Sequence, residues 1–187
     1  MATAQLAAGG RLDGFEILER IGYGAFSDVY LARNPAGREV VLKCPHEVML
    51  GDSGAFARFC REMMIADRLD HPGIQRSLDT HASRSRPYMV MEYVPGRALR
   101  KILWEGGGPL TVERAVDVAC QLAAAISYAH GRGVIHRDLK PENMLLETSG
   151  RLAQSRTLAS RCWRVPGASH TDGSARRWKP RTTWLQS

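Results

Sequence analysis

The stretch His136-Arg137-Asp138-Leu139-Lys140-Pro141-Glu142-Asn143 limits what this chain can be more than any other. Its eight residues carry a carboxylate, an ammonium and a carboxamide. That set suits taking a proton from a hydroxyl while a phosphate and a metal ion are held. Val134 and Ile135 precede the stretch, and Met144, Leu145 and Leu146 follow it. A polar loop pinned between two short buried strands is the expected local structure.

Upstream, Phe15 to Ile21 and Val29 to Arg33 read as two strands joined by Gly22-Tyr23-Gly24-Ala25-Phe26-Ser27-Asp28. Glycines at such a tip let backbone N–H groups approach phosphate oxygens, although a glycine-bearing hairpin is more often a plain turn. Glu39 to Cys44 reads as a third strand, apolar up to Lys43. From Ala55 to Leu69 the period is helical, with Phe59, Met63, Ala66 and Leu69 on one face and Glu62 beside that stripe. His71-Pro72-Gly73-Ile74 ends the helix, because proline cannot continue it. Pro87 to Gly96 reads as a buried strand running into a turn, and Arg97 to Leu103 as a short helix broken at Gly106-Gly107-Gly108-Pro109. Thr111 can cap a longer helix, on which Ala115, Val118, Ala119, Leu122, Ala123 and Ile126 recur through to His130.

In this order and at these gaps, the glycine hairpin, Lys43, Glu62, the strand at Met91 and the loop at Asp138 closely resemble a protein kinase domain over Phe15 to Leu146. Lys140-Pro141-Glu142 resembles the serine/threonine-type form of the loop. The resemblance implies an α+β, protein-kinase-like fold: a five-stranded antiparallel N-lobe with helix C, plus an incomplete helical C-lobe. It implies ATP and Mg²⁺ as cofactors, and transfer of the γ-phosphoryl group to a serine or threonine hydroxyl of a protein substrate. It places the nucleotide against Ile21, Gly22, Tyr23, Gly24, Ala25, Phe26, Ser27, Asp28 and Val29, and against Lys43 paired with Glu62. At the hinge it makes Met91 the gatekeeper and sets backbone groups of Glu92 and Val94 on the adenine edge, although a plain core strand would read the same way. By the same resemblance Asp138 orients and deprotonates the hydroxyl, Lys140 steadies the γ-phosphate and Asn143 ligates Mg²⁺. His136 is expected to be structural and Arg137 to meet a phosphorylated activation segment. Ser27 stands where the family usually has a third glycine.

The net charge of +7 would ordinarily suggest nucleic acid or an anionic membrane as a partner. Its distribution argues otherwise: residues 1–147 hold 18 Lys+Arg and 18 Asp+Glu, whereas residues 148–187 hold 8 and 1. The expected organisation is an N-terminal extension at 1–14, an N-lobe and hinge at 15–94, a partial C-lobe through the catalytic loop at 95–147, and a basic, non-kinase tail without regular structure at 148–187. No specific nucleic acid is expected as partner. Cys44, Cys60, Cys120 and Cys162 show no paired short spacing, and no stretch reads as a signal peptide or a membrane span, so the cytoplasm is the expected compartment.

The Asp-Phe-Gly motif that follows a kinase catalytic loop is not found after Asn143. Codons read one base out of phase can nevertheless encode it from Arg156 to Ala159, and can encode the end of an activation segment from Lys179 to Ser187. A frameshifted tail is therefore expected, with little or no activity in this chain and exposed apolar surface on its shortened second lobe. Two alternatives stand beside this reading: an ATP-binding, pseudokinase-like module without turnover, and a nucleic-acid-binding protein acting through the basic tail.

Overall fold

The computed structural model describes residues 6–24, 26–78, 84–105, 108–136, 138–147, 149 and 151–154. Ala25, Arg137 and residues 155–187, for which the sequence also carries expectations, lie outside the described residues.

Five strands build one antiparallel sheet in chain order: β1 (Arg11–Leu12), β2 (Phe15–Tyr23), β3 (Ser27–Arg33), β4 (Glu39–Pro45) and β5 (Met89–Glu92). In β4, Val40, Val41 and Leu42 are buried in succession, which requires cover on both faces of the strand. Alternation along the strands separates two cores. One holds Ile17, Tyr30, Ala32, Val40, Leu42, Cys44 and Val90, closed by Leu12 and Tyr88. The other holds Val41, Met89 and Met91 and receives Phe59 and Ala66 from a helix.

That helix, α2 (Ser53–Ala66), follows a single turn, α1 (Glu47–Leu50). It starts two residues earlier than the apolar period suggests, because the Asp52 carboxylate accepts from the N–H groups of Gly54 and Ala55 at 2.8 and 3.0 Å. It also ends earlier. The Arg68 and Leu69 N–H groups reach back only three residues, to Ile65 and Ala66, so a tighter turn delivers buried Leu69 to a separate cluster. Burying side chains such as Phe59 and Met91 is worth about 1.5–3 kcal/mol each, so packing rather than propensity holds α2 against the sheet.

Beyond the sheet, β6 (Gly96–Ala98) takes up Arg97, which the sequence places in a helix; the helix, α3, spans Leu99–Glu105. Arg97 pairs with Leu146 across the ladder to β7 (Met144–Glu147), and a Cβ on Gly96 would stand 2.9 Å from the Leu146 carbonyl oxygen. Helix α4 (Val112–Gly131) is capped by Thr111 as expected. Its buried face is the expected one only in part: Val118 is buried and Leu122 packs against its cluster, but Ala125 and Ala129 are buried too, whereas Ala115, Ala119 and Ala123 face outward. Alanine is small enough for either face, and α4 divides its contacts between two clusters, one with Leu69, Ile74 and Val134 and one with Leu99, Met144 and Leu146. Val112 and Val116 are exposed on α4 and Trp104 on α3, where the expected apolar surface of the second lobe lies.

The chain does not leave this fold at Glu147. Strand β8 (Leu152–Gln154) pairs antiparallel with β7, and Leu152 is fully buried. Residues 152–154 of the basic tail expected from residue 148 are therefore in a strand.

Candidate functional site

Alternation along β4 sends Val41 and Lys43 to the face covered by α2, opposite Met91 and Met89 of β5. There the Lys43 ammonium is ion-paired to the Glu62 carboxylate of α2, and the two side chains are only 12% and 11% exposed. The pair expected across 19 residues of sequence is thus formed. Glu62 reaches it because α2 turns its flank, rather than its buried Phe59–Ala66 stripe, toward the end of β4.

The β2–β3 hairpin stands next to this face. Val29 lies opposite Lys43 in the ladder and packs into the Met91 cluster. At the tip, the Gly24 N–H donates to the Ser27 carbonyl at 2.9 Å. Cβ atoms on Gly22 and Gly24 would stand 3.2 Å from Val29 Cβ and 3.1 Å from the Ser27 oxygen, so the turn itself calls for both glycines. Ile21, Tyr23 and Phe26 are exposed around it. The Asp28 side chain turns elsewhere. Its carboxylate lies on the opposite face of the sheet from Lys43, where Tyr30 Oη donates to it at 3.4 Å and His46 Nε2 stands 3.5 Å away. Successive residues of a strand face opposite ways, so the Asp28 side chain does not share the face of Lys43.

Met91 is buried beside Val41 in this cluster. The two hinge carbonyls are both engaged. The Val94 oxygen accepts from the Gly96 N–H at 2.8 Å, and the Glu92 oxygen accepts from Gln75 Nε2 at 2.8 Å. Gln75 was not legible as a site residue, since nothing local in His71 to Leu78 connects it with Glu92. Val41 was not read as a site residue either, although it lies two residues before Lys43, on the same face by strand period.

The catalytic loop enters through Val134, which packs with Leu69 and Ile74 and so ties the loop to the end of α2. Asp138 is the centre of the loop. Asn143 Nδ2 donates to both its backbone oxygen and its Oδ2 at 2.9 Å, and Lys140 Nζ stands 2.9 Å from the same Oδ2. Proline at 141 opens a short 3₁₀ turn, Pro141–Asn143, that folds Asn143 back for these bonds. The Lys140 hydrogen bond, aided by Asn143, holds the Asp138 carboxyl below its ordinary pKa despite some desolvation. Asp138 is therefore a carboxylate at neutral pH, as a proton acceptor must be.

His136 is buried, and its Nδ1 accepts from the Asp138 N–H at 3.3 Å, in keeping with a structural role. Burial pulls its pKa below the ordinary 6.5, with Asp138 opposing and Lys140 assisting. The sign follows: as pH falls through about 6.5, the unfolded chain takes up a proton that the folded chain refuses. The urea midpoint should accordingly drop between pH 7 and pH 5. A His136 imidazole titrating at or above its ordinary value by NMR would contradict this.

On this two-lobed α+β fold Lys43 pairs with Glu62 between the five-stranded sheet and α2, and Asp138, Lys140 and Asn143 gather on the loop before β7. Comparison with known proteins agrees: the protein kinase domain model matches residues 15–154, and the chain belongs to that family. CBL-interacting serine/threonine-protein kinase 19 of Arabidopsis thaliana is 41% identical over 142 residues, covering 75% of this chain and 29% of the relative. Serine/threonine-protein kinase PknB of Mycobacterium tuberculosis is 37% identical over 142 residues, covering 73% and 22%. Among solved structures, the PknI kinase domain of M. tuberculosis superposes with a TM-score of 0.66 at 32% identity, over 80% of this chain and 60% of that one. The chain thus spans less than a third of these curated relatives, and its family match runs past Glu147 to include β8.

Proposed function

We propose that this chain binds ATP with Mg²⁺ between the glycine hairpin, Lys43 and the Asp138 loop, and that its chemistry is that of a protein serine/threonine kinase. The observation that carries the reading is the Lys43–Glu62 pair. An ammonium held by a carboxylate beside an apolar face fits a nucleotide's phosphates next to its base. Val29, Val41 and Met91 would pack the base, and Lys43 would meet the phosphates. Asn143 fits Mg²⁺ in part: its Nδ2 is used on Asp138, leaving the amide oxygen as the hard-cation ligand. Among the described residues no three His, Cys, Asp or Glu side chains gather to hold a metal ion, so the metal would be held jointly with phosphate oxygens.

Bound Mg²⁺ would neutralise phosphate charge. Asp138, kept ionised by Lys140 and Asn143, would orient a serine or threonine hydroxyl of a protein substrate and accept its proton at a carboxylate oxygen. Lys140 would offset negative charge as it spreads over the transferring group. Turnover by this chain is expected to be slight, because residues 144–187 supply no Asp-Phe-Gly carboxylate for the metal. A cytoplasmic setting goes with this reading. Among the described residues no helix is long and apolar enough to cross a membrane, and Cys44, Cys60 and Cys120 are free thiols.

Isothermal titration of the 187-residue chain with ATP, with and without Mg²⁺, tests the reading. Saturable, Mg²⁺-enhanced binding is expected, with at most trace transfer to protein substrates; no binding overturns it. Asp138-dependent turnover at rates of about 1 s⁻¹ or more, the range of active kinases, would overturn the expectation of slight activity.

A further inference from the structure

We infer that Gln75 sets how strongly this pocket reads the exocyclic amino group of its nucleotide base. The inference rests on the reading of Glu92–Val94 as the base-contacting segment. The segment before β5's partner ladder runs antiparallel to β5: the Leu78 N–H donates to the Val90 oxygen at 2.8 Å, and the Glu92 N–H to the Arg76 oxygen at 3.0 Å. The next rung of that ladder would join the Arg76 N–H to the Glu92 carbonyl. It is replaced by two side-chain bonds. The Arg76 N–H donates to the Glu92 carboxylate at 2.9 Å, and the freed Glu92 carbonyl accepts from Gln75 Nε2 at 2.8 Å. Gln75 is only 3% exposed, so this is a built contact rather than a surface one.

A primary amide N–H and the 6-amino N–H of an aminopurine are the same kind of donor. A carbonyl oxygen has two lone pairs, so it can serve both, but a carbonyl already bonded gains less from a second donor than an orphan does. With Gln75 in place, the base amine adds to a satisfied acceptor. The pocket is therefore expected to discriminate weakly between ATP and a purine triphosphate that lacks the amine. Gln75→Met removes the donor at similar volume, and the Arg76 N–H, still held by the Glu92 carboxylate, does not fill the place.

The test measures Kd for ATP and for purine riboside 5′-triphosphate, at fixed Mg²⁺, in the unaltered 187-residue chain and in the Gln75→Met and Gln75→Leu variants. Leu, like Met, fills the space without a donor. The preference for ATP is expected to rise about three- to tenfold in both variants. A ratio that stays the same or falls, in variants that keep the parent's cooperative urea transition, overturns the inference while leaving the nucleotide reading intact. Loss of that transition in both variants makes Gln75 a requirement of folding and overturns it as well. Binding of neither nucleotide by the unaltered chain overturns the base-pocket reading itself.

Discussion

Lys43→Met should cost this chain about 2–3 kcal/mol of stability and all of its ATP binding, while Lys43→Met with Glu62→Met should recover most of the stability and none of the binding. The asymmetry comes from where the pair sits. Both side chains are about nine-tenths buried, and Lys43 lies across the ladder from Met89, which packs in one cluster with Met63 and Met91. Removing the ammonium alone strands the Glu62 carboxylate in those surroundings. Breaking a fully buried pair costs about 3–5 kcal/mol, and the remaining exposure of this one reduces the figure. Removing both charges replaces a desolvated ion pair by methionine among methionines, which is close to neutral. Nucleotide binding has no such compensation, because the phosphates need the cation and not the packing. Urea unfolding of the three chains, paired with titration by ATP, separates the two effects. A single variant as stable as the parent, or a double variant that binds ATP, would show that the pair is not what organises this site.

The sheet was legible because its signals are local. Short apolar runs and a glycine hairpin place β2, β3 and β4 to within a residue or two, and Thr111 marks the start of α4. The site was legible only through resemblance. No spacing rule joins Lys43 to Glu62, and their pairing depends on how α2 crosses the sheet. Where the outcome depends on packing between distant segments, the sequence misleads. Asp28 sits in a loop-like string yet belongs to β3, so strand period turns its side chain to the face opposite Lys43. The alanines of α4 satisfy a helical period on more than one face, and the choice fell to Val118, Ala125 and Ala129. Gln75 reads as an ordinary polar residue until Glu92 is folded against it. Strand β8 was hidden by its length of three residues and by the basic, aperiodic run that follows it.

That hidden strand carries the second large effect: Leu152→Ala should destabilise the chain by about 2–5 kcal/mol and loosen the Asp138 loop more than the Lys43 pair. Leu152 is 0% exposed and fills the cluster of Leu99, Val118, Met144 and Leu146. Its N–H donates to Gln121 Oε1 at 2.8 Å, which fastens β8 to α4, while Arg151 reaches the Pro72 oxygen at 3.1 Å as well as the Glu147 carboxylate. Strand β7 begins at Met144, directly after Asn143, so whatever fixes β7 also fixes the amide that bonds Asp138 twice. Hollowing the cluster should therefore weaken the Mg²⁺ enhancement of ATP binding before it abolishes binding through Lys43. Chains ended after Glu147 and after Gln154 give a second measure of the same contribution, since they differ only in residues 148–154. The shorter chain should lose the cooperative urea transition of its second lobe while the longer keeps it. Equal midpoints in the two, with Leu152→Ala unchanged from the parent, would mean that β8 merely lies against the lobe and that Asn143 is held by its own 3₁₀ turn.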